Sequence, residues 1–230
     1  NMRMRYFHKP VIMAPTGMAL GGGAELIMHG SRSIAHAELY MGLVETGAGV
    51  IPAGGGTKEI LRRLVNPAMR IKDVQALPFL QHAFEQIALA KVSGSADEAR
   101  QFGFLSQVDR VVMNRGQVLH EAKKEVLYMA EAGFSAPIKE KIFAAGRDAL
   151  AALQVGVYMM AEAKFITEYE KVIAGKLAHV LAGGEISQPQ WVSEQYILDL
   201  EREAFLSLCG NEKTQQRMWH LLKTGKPLRN

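Results

Sequence analysis

The sequence is short of the groups that many functions require. It has one cysteine in 230 residues, Cys209, which excludes an intrachain disulfide and fits a reducing compartment. Cys209 lies in an apolar helical pattern, so its expected role is packing rather than catalysis. No apolar run reaches membrane-spanning length. The opening Asn-Met-Arg-Met-Arg is not followed by a signal-type apolar segment. The seven histidines form no His-Glu-x-x-His pair and there is no cysteine pair, so no metal site is expected. The Gly54-Gly55-Gly56 run does not match the order of a phosphate-binding P-loop. No Gly-x-Gly-x-x-Gly lies between a strand and a helix, which argues against NAD binding by these residues. Internal repeats and low-complexity segments are absent as well.

Excess charge is confined to one place. Residues 211–230 hold Lys213, Arg217, Lys223, Lys226 and Arg229 against Glu212, a local +4 that equals the net charge of the whole chain. The rest is balanced, which argues against a general nucleic-acid binder with a broad basic face. A local basic patch still allows a phosphate-bearing ligand near the end of the chain.

The stretch 9–26 organises what is present. Pro10 to Thr16 is apolar and β-branched, which predicts a buried strand over 10–16. Three consecutive glycines, Gly21 to Gly23, then lead into Ala-Glu-Leu-Ile-Met, which predicts a helix over 22–29. Glycines there leave the backbone open to close approach. The first amides of a helix lack partners and carry partial positive charge, so they can hold a developing oxyanion. Glu25 sits one turn inside that helix.

Further along, 31–36 predicts a short strand. The stretch 40–49, with Gly42, Gly47 and Gly49, reads as a loop, and a helix follows Gly56. Strand–helix alternation with short connections predicts an α/β fold. Beyond Pro67 the pattern is mostly helical. Residues 78–91 are amphipathic. Ser95 to Glu98 and Thr167 to Glu170 are capping boxes that start helices. Gly103, Gly133, Gly183-Gly184, Gly210 and Gly225 end helices. Residues 108–113 predict a strand, and helices are expected over 117–132, 147–163, 194–209 and 212–224. The segment 133–137 is the best linker candidate, dividing the chain into 1–133 and 134–230.

Two blocks resemble the crotonase (enoyl-CoA hydratase/isomerase) superfamily. The first is Ala19-Leu20-Gly21-Gly22-Gly23-Ala24-Glu25-Leu26. The second runs from Tyr40 through Glu45 to Ile51-Pro52-Ala53-Gly54-Gly55-Gly56-Thr57. Their order and separation are specific, where a lone glycine triplet would be weak. The C-terminal part, from Ser193-Glu194-Gln195 to Leu208-Cys209-Gly210, resembles the bacterial 3-hydroxyacyl-CoA dehydrogenase group of fatty-acid β-oxidation, whose members carry a crotonase domain at the C-terminal end.

The resemblance implies a crotonase-like α/β core of ββα spiral type at 1–133, N-terminally incomplete, with a helical region at 134–230. It implies reversible hydration of trans-2-enoyl-CoA in the cytoplasm. Glu25 would activate the water and Glu45 would supply the α-proton. The Gly22 amide would serve the oxyanion hole, and Ala53, where the family usually has Gly, would help hold the water. A second oxyanion amide would come from ahead of these residues, so the strand at 10–16 is expected to be central and to meet a missing upstream segment. Lys223 and Lys226 would lie near the coenzyme A phosphates. Coenzyme A enters as part of the substrate, no separate cofactor is implied, and NAD would belong to a fused dehydrogenase domain. The implied partners are the acyl-CoA substrate, that upstream or dehydrogenase part, and further copies in a homo-oligomer. Neither nucleic acid nor a membrane span is implied. Two other readings stand beside hydration: an enoyl-CoA isomerase, which can work with one carboxylate, and a non-catalytic docking or assembly module.

Overall fold

The computed structural model describes residues 1–230. A short helix α1 (Met2–Arg5) precedes strands β1 (Ile12–Met13) and β2 (Gly17–Leu20), helix α2 (Gly22–Met28), and strands β3 (Arg32–His36) and β4 (Leu39–Gly42). A 3₁₀ turn (Glu45–Ala48) leads to α3 (Gly56–Ile60), a π turn (Leu61–Val65) and α4 (Asn66–Met69). Then come α5 (Leu77–Ala88), α6 (Ala96–Gln101), β5 (Arg110–Val112), α7 (Val118–Glu131) and β6 (Lys141–Ala144). The chain closes with α8 (Gly146–Glu162), α9 (Glu168–Ala182), β7 (Gln190–Ser193), α10 (Glu194–Cys209) and α11 (Glu212–Thr224).

The strands form two parallel sheets and one ribbon. The order β1-β3-β5 makes the first sheet, β2-β4 makes the second, and β6 pairs antiparallel with β7. Each of the first two passes of the chain therefore contributes one strand to each parallel sheet, α2 carries the chain between them, and β5 adds a third strand to the first sheet alone. This is the spiral α/β arrangement expected from the motifs, followed by a helical C-terminal part. One apolar cluster of 37 buried residues runs from Ala19 to Leu208 and binds the two parts together.

Three expectations need correction. Of the strand expected over 10–16 only Ile12–Met13 forms, and a second strand, β2, follows from Gly17. Pro15 has no amide to give, and Gly17 lies at φ +66, so the chain leaves one sheet there and enters the other. Within these residues β1 lies at the edge of its sheet, the side on which the expected upstream segment would pair, and β3 is central. The stretch 40–49 is not a loop. β4 occupies its start, with Gly42 where a Cβ would lie 2.4 Å from the Lys91 carbonyl oxygen, and the 3₁₀ turn occupies its end. The box at Ser95 is half made: Ser95 Oγ accepts from the Glu98 amide, but the Glu98 carboxylate turns to the Gly94 amide instead. The box at Thr167 is complete.

Sequence periodicity gave no hint of β6 and β7, which are only four residues each, β6 with Ile142 and Ala144 buried and β7 mostly exposed. A buried ion cluster was equally hidden. Glu59 is fully buried and meets Lys58 Nζ at 2.5 Å, Arg62 at 2.8 Å, Arg63 at 3.3 Å and Arg5 at 3.7 Å. Burial alone would raise its pKa, but Arg62, Lys58 and Arg63 outweigh that and hold the carboxyl well below the usual range. Lys58 also reaches Glu194 at the start of α10, so the cluster ties α1, α3 and α10 together. No helix is long and apolar enough to cross a membrane.

Candidate active site

The site forms where β2 turns into α2. Gly21 makes that turn at φ +54 and ψ −124, and its amide donates to the Gly42 carbonyl at 2.8 Å. A side chain could not adopt this backbone without strain, and a Cβ here would lie 3.2 Å from Glu45 Oε1. The Gly22 amide begins the helix and has no partner within the chain, and the space beside Gly22 is open. It faces outward as a free donor, as the first amides of a helix do.

One turn on, Glu25 points inward and is 5% exposed. Its Oε1 accepts from the amides of Gly54 and Gly56, both at 2.8 Å. Its Oε2 makes no hydrogen bond within the chain and faces Gly54, where a Cβ would approach it to 2.4 Å. Burial raises the Glu25 pKa, and the two amides draw it part of the way back. Ala53, next to this loop, is exposed and its amide has no intrachain partner.

Glu45 arrives from the other side on the 3₁₀ turn. As a residue it is half-buried, but its Oε2 is sealed from solvent and has no hydrogen-bond partner. Burial, with the nearby Glu25 charge second, pushes its carboxyl up to about 8. Burial raises both carboxyls, but only Glu25 has amides that draw it back toward its charged form. Two carboxyls whose surroundings separate them in this way are suited to opposite roles in proton transfer.

A third carboxylate stands at the same loop. Glu201, on α10, is 1% exposed. Its Oε1 accepts from the Gly55 amide at 2.7 Å. Its Oε2 accepts from the Thr57 amide at 3.0 Å and from the Thr57 hydroxyl. Burial pushes it up to about 7, against the pull of the Thr57 hydroxyl. Sequence reasoning missed it, although a signal existed. Ile197, Glu201, Ala204 and Leu208 are the buried stripe of α10, so Glu201 is an acid on the apolar face of an amphipathic helix.

Glu25, Glu45, Gly22 and Ala53 thus lie around one strand-to-helix turn and the loop that faces it. Lys223 and Lys226 stand apart. Both are exposed and neither has an ion-pair partner. Lys223 lines a shallow groove with Trp219, His220 and Leu228. Of the apolar side chains of α11, Met218 packs against the core and Leu221 is half-buried. The buried residues are Thr214 and Arg217, while Trp219 and Leu222 fall on the outer face of the helix. Thr214 Oγ1 donates to the Gly49 carbonyl at 2.5 Å, which fixes α11 to the 3₁₀ turn bearing Glu45.

The chain matches no protein-family model. It is 44% identical over 229 residues to a probable 3-hydroxyacyl-CoA dehydrogenase of Bacillus subtilis (strain 168). That match covers 100% of the chain and 28% of the relative's length. A short-chain-enoyl-CoA hydratase of Clostridium acetobutylicum is 34% identical over 106 residues, covering 46% of the chain and 35% of that protein. Among solved structures, an enoyl-CoA hydratase from Mycobacterium avium subsp. paratuberculosis superposes with a TM-score of 0.57 at 13% identity, over 100% of the chain and 69% of its own.

Proposed function

The chain has the crotonase fold, and from that premise we propose that it carries an enoyl-CoA hydratase centre within a 3-hydroxyacyl-CoA dehydrogenase-type protein of fatty-acid β-oxidation. The reaction is reversible addition of water to a trans-2-enoyl-CoA. Glu25 Oε2 takes a proton from water, and the water oxygen bonds to C3. The π electrons move toward C2 and the thioester oxygen, where the Gly22 amide meets the developing charge. Glu45 then delivers its proton to C2. One proton leaves water and one reaches carbon, so the product is a 3-hydroxyacyl-CoA. The amide of Ala53 helps hold the water, and Lys223 and Lys226 meet the nucleotide phosphates. An apolar cavity of about 310 Å³ beside Thr46 and Gly47, lined by Phe84, Phe165 and Ile173, offers room for an acyl tail.

One observation carries this reading. Two carboxyls converge on one turn, one held by two amides with an oxygen left free and the other with an oxygen sealed from solvent and unpartnered, which favours its protonated form. Isomerisation needs only one such group, so the pair favours hydration. The test is turnover of crotonyl-CoA by the protein carrying this chain, compared with its Glu25→Gln variant. Positioned acid–base groups contribute about 100-fold or more, so the variant should lose at least that much. Near-normal hydration would remove Glu25 from the chemistry. Loss of hydration with double-bond migration spared would turn the reading to an isomerase.

A further inference from the structure

Four successive amides form the floor of the site, and they are shared between two acids in strict alternation. Gly54 donates to Glu25, Gly55 to Glu201, Gly56 to Glu25 and Thr57 to Glu201, at 2.8, 2.7, 2.8 and 3.0 Å. The alternation requires the chain to zigzag, and Gly55 makes this possible at φ +98. A Cβ on Gly55 would come within 2.9 Å of the His29 ring. The loop is therefore gripped from both sides, by α2 and by α10.

The two grips differ in what they leave free. Glu25 uses only Oε1, and its Oε2 is unbonded. Glu201 engages both oxygens, takes the Thr57 hydroxyl as well, and is 1% exposed, so it is closed off from a substrate. No lysine, arginine or histidine pairs with Glu201. Among acids, Glu25 acts on it directly, and Glu201 in turn acts on Glu45. A side chain so placed can set where the loop lies without touching the reacting atoms.

We propose that Glu201 is a positioning residue for the hydration centre. It clamps Gly55 and Thr57 from α10, so that the amides of Gly54 and Gly56 hold Glu25 with its free oxygen aimed at the water. The proposal rests on the hydratase reading for its kinetic part only. The clamp itself is a statement about the loop. Displacing a catalytic group by about 1 Å costs about 100-fold in rate, so the effect falls on turnover rather than on binding of the distant coenzyme A.

The test uses the protein carrying this chain and its Glu201→Ala and Glu201→Gln variants, each checked for folding by circular dichroism. Amide hydrogen exchange is read at Gly54 and Gly56, which Glu201 does not touch. Crotonyl-CoA hydration is followed across pH. In Glu201→Ala the two amides should exchange at least about tenfold faster. The kcat should fall about 10- to 100-fold with KM within about twofold. The alkaline limb of kcat/KM should move to lower pH, because a negative charge acting on Glu45 has gone. A merely structural residue would not move that limb. Glu201→Gln keeps one acceptor oxygen and should fall between Glu201→Ala and the parent. If Glu201→Ala does not fold, the Gln variant carries the test. Unchanged exchange at Gly54 and Gly56 would overturn the clamp, whatever the activity. Unchanged kcat and limb with faster exchange would overturn the positioning role. A parent without hydration would defeat the hydratase reading, while the exchange result would still decide the clamp.

Discussion

Replacing Glu45 by Gln should make the protein more stable in alkali than its parent, by an amount that grows with pH. The side chain keeps its size and loses its proton equilibrium. In the folded state the Glu45 carboxyl is pushed up to about 8, from an ordinary 4.5, by burial and the Glu25 charge. Between those values the folded parent keeps a proton that the unfolded chain has released, so its stability falls as pH rises. The slope for one such group is about 1.4 kcal/mol per pH unit. Over the full interval this reaches at most about 5 kcal/mol. Water reaching the half-buried residue lowers that ceiling, and about 2 kcal/mol is the least that the reasoning requires. Glu25 and Glu201 titrate in both proteins and largely cancel in the comparison. Urea unfolding at intervals from pH 5 to 9 measures the difference. The two proteins should be nearly equal at pH 5, diverge steadily in favour of Gln, and run parallel above about pH 8.5. A difference that stays constant across pH would refute the claim that the folded protein holds Glu45 protonated, and the acid role with it.

Two further outcomes follow from charge placement. A Lys223→Ala, Lys226→Ala double variant should bind acyl-CoA more weakly than the parent at low salt, with the gap closing as salt rises and vanishing for acyl-pantetheine. Equal binding at every salt concentration would mean that these lysines only solvate the chain. Glu59→Gln should cost about 3–5 kcal/mol in chemical denaturation, because it leaves the buried Lys58 and the largely buried Arg62 and Arg63 without their main counter-charge; a loss under 1 kcal/mol would show that Glu140, which meets Arg62 and Arg5, and Glu194, which meets Lys58, suffice.

Those charges also mark where the sequence was legible. The helices with end signals could be read almost to the residue. Thr167 with Glu170 opens α9 and Gly183 closes it at φ +86, and Gly225 closes α11 at φ +68. Such signals are local, because a cap satisfies amides and carbonyls within a few positions of itself. The pairing of Glu25 with Glu45 was readable through the resemblance of the two glycine-bearing blocks to the crotonase motifs, in which Gly21, Gly49 and Gly55 take backbone angles that favour glycine. Glu201 and Glu59 were not readable in the same way. Each looks like an ordinary helix acid: the partners of Glu201 lie on an element far away in sequence, while Lys58, Arg62 and Arg63 beside Glu59 read as ordinary local ion pairs and do not show that it is buried. Only Glu201's place among Ile197, Ala204 and Leu208 gave it away. The strand read over 10–16 stops short of β2, because the apolar run shows where β1 lies but the step into the second sheet is made by the backbone at Pro15 and Gly17. β6 and β7 escaped because neither is long or alternating enough to show a period of two.

The β6–β7 ribbon also constrains the order in which the molecule assembles. It joins Lys141–Ala144 to Gln190–Ser193, and everything between them is the antiparallel hairpin of α8 and α9. Closing so long an excursion directly would be slow, because its entropy is lost before any pairing is gained. The helices meet through contacts close along the chain, which form early in folding. Once α8 and α9 have met, the ends of the excursion lie near one another and the ribbon closes a short gap instead of a long one. On this reasoning the ribbon amides gain protection later in refolding than those of the hairpin, and pulsed hydrogen exchange reads that order directly. The ribbon therefore acts as a late clasp on a unit already formed, and α10, which begins at its last residue, receives its direction only when the clasp shuts.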